Sequence, residues 1–251
     1  MASDGDNSLM SSGHSTTSSD ISMVETLTKE GTRLMSKKRL RRSIKKYTEA
    51  YMVAERLGDD VALQSCACNL GAALIAKGDA EQAVQYLENA LPRGHNNSRN
   101  GKHSDGILAD LHYNLGLGYS VLGSTKHAKK HFTKSIELFI ACDDVRAFAE
   151  GYHQLGAQYL HDQQLMTAAT CFEESSKAFG TINDLFSEVK MRLKQGECLV
   201  LHGKEKKGLK VAKACDIICE ALLIGSINIA LDPGKCLTVR VRYHFMFYVT
   251  E

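Results

Sequence analysis

A Leu-Gly pair recurs along this chain at a nearly constant spacing. The clearest copies are Leu70-Gly71, Leu115-Gly116 and Leu155-Gly156, and weaker copies surround Gly31 and Gly196. Successive glycines in this series are 40, 45, 40 and 40 residues apart. A period of this length indicates stacked structural repeats, because each repeat buries its hydrophobic face against its neighbours.

The composition favours helices as the repeated element. The chain has 251 residues, of which 43% are hydrophobic, and it contains two prolines and no tryptophan. Long helices joined by short turns suit a proline-poor sequence, since proline interrupts the hydrogen bonding of a helix interior. The net charge is +2, so overall charge gives no reason to expect nucleic acid or an anionic membrane as a partner.

The chain divides into a polar start, a repeat domain and a dissimilar end. Residues 1–20 are rich in Ser, Thr, Asp and Gly, and we predict that they are disordered because they have little to bury. A repeat domain over 21–223 follows, with helical pairs at about 21–57, 61–91, 106–142, 145–180 and 182–223. A polar loop at 92–105 accounts for the one longer interval between glycines.

In the second repeat, small and apolar residues predict the faces on which its helices A and B meet. These residues are Ala67, Leu70, Gly71 and Leu74 of helix A and Ala83, Leu87 and Ala90 of helix B. Gly58-Asp59-Asp60 is predicted to supply a turn and the N-cap of helix A. Gly78 is the predicted end of helix A, and Asp79 is the predicted N-cap of helix B. The fifth repeat is degenerate, with Gln195 in place of leucine and Gly208 in place of alanine.

The last segment, 224–251, breaks the repeat pattern. From Val239 to Val249 apolar residues alternate with mostly polar ones, which is the period of a strand in an otherwise helical chain. A lone strand has no partner here, and a solenoid needs a polar terminal unit instead. We therefore expect that the array is cut short and that this tail arises from alternative splicing, a partial gene model or an engineered boundary.

The fourth repeat carries the most complete motif. It reads Tyr152-x2-Leu155-Gly156-x2-Tyr159, followed by Ala168-x3-Phe172. With tyrosine in place of tryptophan, this pattern resembles the tetratricopeptide repeat, or TPR. Repeats of 40 residues with longer helices are similar to those of the LGN/Pins cell-polarity scaffolds and, less closely, of kinesin light chains.

This resemblance covers residues 21–215 and has consequences for fold and function. It implies an all-α, TPR-like helical-repeat solenoid that winds as a right-handed superhelix of about five repeats. It also implies a protein-interaction adaptor or scaffold, which binds an extended or helical peptide in the groove lined by the A helices.

The resemblance places the groove residues beside the Leu-Gly pair of each A helix. They are Ser65, Cys68, Asn69 and Ala72; Asp110, Tyr113, Asn114 and Leu117; Glu150, His153, Gln154 and His161; and, at the two ends, Thr28, Lys29, Lys190 and Lys194. The amides of Asn69, Asn114 and Gln154 can both donate to and accept from a peptide main chain. They could instead hydrogen-bond a neighbouring helix.

Chaperone C-terminal tails are not expected as ligands. Cys68 and Ala72 stand where the first lysine and asparagine of a carboxylate-binding groove would be in the repeats that hold such tails.

A basic segment gives the alternative function. Seven cations lie within ten residues: Lys37, Lys38, Arg39, Arg41, Arg42, Lys45 and Lys46. They could mark a nuclear or nucleic-acid-associated helical-repeat protein, or they could form a solvated helix face with Leu40 and Ile44 turned inward. No aromatic residues interleave to stack on bases, so nucleic acid is the less favoured partner.

The remaining side chains suggest no catalysis. The eight cysteines lie mostly within helical patterns and are predicted to be reduced core residues of a cytoplasmic protein, with the nucleus as the alternative. His127 and His131 are expected to form a surface pair and not a metal site. We find no nucleophile elbow, phosphate-binding loop, secretory signal or membrane span, and we expect no enzyme activity, no cofactor, no metal and no membrane partner.

Overall fold

The computed structural model describes the backbone of residues 12–92 and 102–226 and the side chains of 18–92 and 105–215. Within these residues the chain is all-α, as predicted. It forms α1 (Ser12–Ser36), α2 (Leu40–Leu57), α3 (Asp60–Lys77), α4 (Ala80–Asn89), α5 (Lys102–Val121), α6 (Thr125–Ala141), α7 (Val145–His161), α8 (Leu165–Thr181), α9 (Leu185–Leu201) and α10 (Glu205–Ser226). Odd-numbered helices are the A helices of the five repeats, and even-numbered helices are the B helices.

Two helices begin earlier than the sequence pattern indicates. Helix α1 begins at Ser12, inside the segment predicted to be disordered, and α5 begins at Lys102, inside the predicted polar loop. The rest of these two segments, 1–11 and 93–101, lies outside the described residues. The strand-like tail from Val239 to Val249 lies outside them as well, so its prediction is untested.

The short turns that join consecutive helices share one backbone feature. Each short turn between consecutive helices contains one residue with positive φ, and glycine fills four of these places: Gly58, Gly78, Gly123 and Gly203. Glycine has no Cβ to clash in this left-handed region, and it lets the chain leave the helix in one residue. The other four turns use Lys38, Asp143, Gln163 and Asn183. Gly78 ends α3 with φ of 96°, as predicted.

The two predicted N-caps behave differently. Asp59 accepts hydrogen bonds from the backbone N–H groups of Val61 and Ala62 and so caps α3, as predicted. Asp79 occupies the N-cap position of α4, but its side chain makes no capping hydrogen bond and instead pairs with Lys77.

The chain forms two compact units, Met1–His131 and Phe132–Glu251. In the first unit, α1 packs on α2, α2 on α3, and α3 on both α4 and α5. The predicted faces of repeat two are confirmed, because all seven of their residues are buried and the non-glycine members belong to one hydrophobic core.

The repeat glycines lie where helix A crosses helix B. A Cβ on Gly71 would lie 2.8 Å from Leu87, and one on Gly31 would lie 2.5 Å from the ring of Tyr47. Neither distance is compatible with a real side chain, so glycine allows the large apolar residue of helix B to lie against the backbone of helix A.

The second unit repeats the same contact. A Cβ on Gly156 would lie 2.9 Å from the ring of Phe172, which is fully buried between α7 and α8. Around it, Ala149, Ala168, Phe179 and Met191 join the core of this unit. Helix α8 also packs on α9, and α9 packs on α10.

Candidate functional site

In the first unit the predicted groove residues of repeats two and three lie on adjacent helices. Helices α3 and α5 pack against each other, and α1 also contacts α3. Ser65, Cys68 and Asn69 of α3 and Tyr113, Asn114 and Leu117 of α5 are half-buried, whereas Ala72 and Asp110 are exposed. We call the surface formed by these eight residues the unit-1 A face. Leu70 and Leu115 point away from it into the core.

Asn69 bonds within its own helix. Its Nδ2 donates to the backbone oxygen of Ser65 at 3.1 Å, one helical turn earlier. This bond fixes the amide on the surface of α3 and uses one of its two N–H groups. The side chain therefore keeps donor and acceptor capacity for a peptide main chain.

Asn114 links two A helices. Its Nδ2 donates to the backbone oxygen of Cys68 at 3.5 Å, and the Cys68 Sγ–H donates to the backbone oxygen of Ile107 at 3.8 Å. These two contacts join α5 to α3. Asn114 thus has the second of the two roles considered for these amides, that of bonding a neighbouring helix.

Cys68 is not a reactive thiol. Burial raises the pKa of this thiol to about 12, with the Asp110 carboxylate acting in the same direction. At neutral pH the group stays protonated, and it is the thiolate that acts as a nucleophile. Its position on the unit-1 A face suits a weak hydrogen-bond donor and not covalent chemistry.

In the second unit, α7 carries the groove residues of repeat four. Glu150 lies 3.5 Å from the Nδ1 of His153, and the hydrogen bond from His153 is the main reason that the pKa of Glu150 is lowered. His153 and Gln154 are half-buried, whereas His161 is exposed at the end of the helix. Lys190 of α9 lies close enough to lower the pKa of Glu150 further. The structure thus brings Glu150, His153 and Lys190 together and leaves His161 apart.

The degenerate fifth repeat has a polar contact that the sequence motif did not indicate. Gln195 replaces the motif leucine, and its Nε2 donates to a carboxylate oxygen of Glu173 in α8 at 3.0 Å. Beside it, the Lys194 ammonium lies 5.5 Å from the centre of the Phe172 ring. An ammonium at this distance is attracted by the face of the ring. Polar contacts therefore support α9 where leucine supports the A helices of repeats two, three and four.

The basic segment forms the turn between α1 and α2 and the first turns of α2. Lys38, Arg39, Leu40, Arg41 and Arg42 line an open depression of about 550 Å³. Lys46 pairs with Glu30 and Glu49, but none of Lys37, Lys38, Arg39, Arg41, Arg42 and Lys45 forms an ion pair with another described residue. Leu40 and Ile44 pack against the core, as the solvated-face interpretation predicts.

The expectation of a surface pair at His127 and His131 is wrong for His131. This side chain is 8% exposed, and its Nδ1 lies 3.0 Å from the Nδ1 of His112 in α5. No sequence motif indicates this contact, because it depends on how α5 meets the first two turns of α6. Among the described residues there is no group of three or more His, Cys, Asp or Glu side chains that could hold a metal ion.

Comparisons with known proteins identify the fold. No family model matches the chain. The structure of BtubC from P. vanneervenii superposes with a TM-score of 0.66 at 17% identity, over 86% of this chain and 93% of that chain. TPR-like repeats of a Podospora anserina kinesin light chain give a TM-score of 0.61 at 12% identity, over 78% of this chain and 93% of that chain. The fold is a TPR-like helical-repeat solenoid.

Sequence identities this low show the fold and leave the function open. RapI, another similar structure, has a TM-score of 0.65 at 12% identity and matches over 79% of this chain. This chain spans 54% of the length of RapI. None of the helices in the described part of the solenoid is long and apolar enough to cross a membrane.

Proposed function

We propose that this TPR-like chain is a protein-interaction adaptor that binds a peptide segment on the unit-1 A face. The observation that carries the proposal is the close packing of α3 and α5, which places Asn69, Asp110 and Tyr113 on one half-exposed surface. Amide, carboxylate and phenol groups provide the donors and acceptors that an extended main chain and its side chains require.

The same proposal assigns no catalytic step to this protein. The thiols of Cys68, Cys171 and Cys198 all have raised pKa values, mainly because of desolvation, so they stay protonated. We propose a binding protein that needs no cofactor and no metal, and whose partner is a protein or peptide.

Ala72→Arg tests this surface directly. Ala72 is exposed on α3 between the proposed contact residues, so an arginine there covers the surface without disturbing the core. We expect peptides selected from a random library against the wild type to bind this variant at least tenfold more weakly, a change of about 1.4 kcal/mol. Fluorescence anisotropy of a labelled selected peptide measures the affinity.

Ala141→Arg is the matched control, because Ala141 is an exposed alanine at the end of the B helix α6. It should leave peptide affinity unchanged. Equal affinity of the selected peptides for Ala72→Arg and the wild type would contradict binding on the unit-1 A face.

The two asparagines should respond differently to alanine. Asn69→Ala removes a bond within one helix and should weaken peptide binding with little change in stability. Asn114→Ala also removes the bond to the Cys68 carbonyl, so we expect it to lower the free energy of unfolding by about 1 kcal/mol. Urea denaturation of each variant separates the two effects. Asn69→Ala with wild-type peptide affinity would exclude this amide from recognition.

The basic segment supports a second candidate function, in which a phosphate-bearing polyanion such as RNA binds at the α1–α2 turn. The supporting observation is the open depression whose cations lack ion-pair partners among the described residues. Replacing Arg39, Arg41 and Arg42 by glutamine should reduce the salt dependence of binding to a labelled single-stranded RNA by about 0.7 per lost phosphate contact.

A matched control replaces Lys206, Lys207 and Lys210, which are exposed on α10, by glutamine. If both triple variants bind RNA with the same affinity and salt dependence as the wild type, the basic segment is only a solvated helix face.

We also propose a closer relationship and a location. The segment from Ala62 to Ala73, followed by Lys77-Gly78-Asp79, most resembles tetratricopeptide repeat protein 24. The proposed location is the cytoplasm, with the nucleus as the alternative if the basic segment acts as an import signal. Imaging of a fluorescent fusion, with and without the arginine replacements, distinguishes the two.

A further inference from the structure

Repeat three contains a cluster of aromatic and titratable side chains that the proposed binding function does not use. It consists of Glu88 of α4, His112 and Tyr119 of α5, and His127 and His131 of α6; we call it the histidine–tyrosine cluster. The Tyr119 ring is stacked on the rings of His127 and His131, with centroids 5.0 and 5.5 Å away. The Tyr119 hydroxyl donates to a carboxylate oxygen of Glu88. Within the first unit, the cluster therefore connects α4, α5 and the first two turns of α6, residues 125–131.

The contact between His112 and His131 limits their protonation states. Their Nδ1 atoms are 3.0 Å apart, so one ring donates its Nδ1–H and the other accepts with a lone pair. A single added proton is compatible with this bond, because an imidazolium can still donate to a neutral ring. Two imidazolium rings would place two N–H groups and two positive charges against each other. The observed contact therefore requires that at least one ring is neutral.

This pair of histidines is specific to repeat three. The same two positions hold Leu27 and Lys46, Ala67 and Tyr86, Tyr152 and Cys171, and Arg192 and Val211 in the other repeats. None of those pairs consists of two groups that titrate near neutral pH. Among the five repeats, only repeat three has two groups that titrate near neutral pH at these two positions.

The surroundings of His131 oppose its protonation on balance. Burial has the largest effect in lowering its pKa, and the Lys130 and His127 side chains of α6 act in the same direction. Glu88 of α4 acts in the opposite direction. The face of Tyr119 also attracts a cation, but the net pKa of His131 is lowered.

We propose that the His112–His131 contact is a pH-sensitive junction, which holds α5 against the first two turns of α6 at neutral pH and loosens when both imidazoles are protonated. The junction acts within repeat three of the first unit. It does not depend on the identity of any partner, and its failure would leave the proposed binding function untouched.

The pH range in which stability should change follows from the lowered pKa of His131. The unfolded chain binds a proton at His131 with a pKa near 6.5, whereas the folded chain binds it only at lower pH. Between these two values the unfolded state holds more protons, so stability decreases as pH falls below about 6.5. The equilibrium constant for folding should decrease by up to about tenfold per pH unit in this range because of this one group.

Urea denaturation of the full chain between about pH 7.5 and 5.0 tests the junction, since this range brackets the ordinary histidine pKa. The variants are His131→Phe, which keeps an aromatic ring against Tyr119, and the double variant His112→Phe/His131→Phe. We expect the stability of both variants to depend less on pH than that of the wild type. His202→Phe, at the exposed end of α9, is the control and should keep the wild-type pH dependence.

A purely structural role for His131 predicts a different result. The free energy of unfolding of each variant would then differ from that of the wild type by the same amount at every pH. That result would overturn the proposal. NMR titration of the wild-type histidine rings gives an independent answer if a variant does not fold. A His131 pKa at or above 6.5 would overturn the proposal, and a lowered pKa together with faster amide exchange in α5 and α6 below about pH 6 would support it.

Discussion

Single residues decide how closely each A helix approaches its B helix. At one repeat position of helix B, alanine is fully buried in repeats two, three and four, as Ala83, Ala128 and Ala168. In repeat one this position holds Ser43, whose Oγ–H donates to the backbone oxygen of Gly31 at 2.8 Å. In repeat five it holds Gly208, where a Cβ would lie 2.9 Å from the backbone oxygen of Gly196. Gly208 departs from the repeat motif, but glycine is required there because α9 and α10 cross more closely.

Gly208→Ala should destabilise the protein. The new Cβ would also meet Val200 Cγ2 at 2.6 Å, so α9 and α10 would have to move apart. We expect the free energy of unfolding to fall by about 1–3 kcal/mol, as for other overpacked contacts. Urea denaturation monitored by circular dichroism measures the change.

Gly106→Ala is the matched control within α5. No atom lies within 4 Å of a Cβ built on Gly106, so alanine should raise stability by about 0.5–1 kcal/mol through its higher helix propensity. If alanine changed the free energy of unfolding equally at positions 208 and 106, that result would contradict a close crossing at Gly208.

At the scale of helices, ends are fixed by local chemistry and orientation by contacts between elements. Asp184 illustrates both, because its side chain caps α9 by accepting from the Ser187 N–H and also accepts from Arg146 of α7 at 2.8 Å. The Arg146 hydrogen bond is the main cause of the lowered pKa of Asp184. Arg146 is largely exposed, so solvent screening limits the contribution of this pair to stability.

Asp59 and Asp79, which precede α3 and α4, should differ in how much they contribute to stability. Asp59→Ala removes two hydrogen bonds to the first turn of α3 and should lower the free energy of unfolding by about 1 kcal/mol. Asp79→Ala should have a smaller effect, because Asp79 makes no capping hydrogen bond and its pair with Lys77 is exposed. Thermal denaturation of both variants provides the comparison, and a larger loss for Asp79→Ala would contradict it.

At the scale of the whole molecule, the buried thiols report on folding. Cys66, Cys171, Cys198 and Cys215 are buried and Cys68 is half-buried, all as free thiols. With Cys142, Cys219 and Cys236 replaced by serine, these five thiols should react with a disulfide reagent on the order of a thousandfold more slowly in the native state than in denaturant. Absorbance of the released thiol measures the rate.

Low urea concentrations distinguish protection by the fold from low intrinsic reactivity. If the thiols react only when the chain opens, their rate should rise with urea as steeply as the unfolding equilibrium does. A fast native reaction at any of the five would contradict the burial of that side chain. In the native state Cys68 should stay protonated at neutral pH, because burial raises its pKa to about 12.

The repeat pattern predicted the helical pairs because its signals are local. Leucine, glycine and alanine at fixed spacing predict which faces are buried, as at Leu70, Gly71 and Ala83. Asp59 and Gly78 mark a helix start and a helix end through backbone preferences that act over a few residues. The early starts of α1 and α5 were missed because polar residues can extend a helix that neighbouring turns already support.

The proposed binding surface could be predicted only in part. Its positions on α3 and α5 follow from the motif, but the bonding of each side chain does not. Asn69 and Asn114 occupy the same motif position, yet one bonds within its helix and the other bonds a different helix. The choice depends on the distance between α3 and α5, which no local pattern encodes.

The sequence by itself thus determined an all-α, TPR-like repeat chain and the residues that form each helix pair. Only the tertiary structure showed that His112 meets His131, that Gln195 bonds Glu173, and that Asn114 joins two A helices. The physical reason is the sequence separation over which each kind of interaction acts. Helix formation and burial patterns act within a few residues, whereas these contacts join residues 19, 22 and 46 positions apart and exist only once the helices have packed.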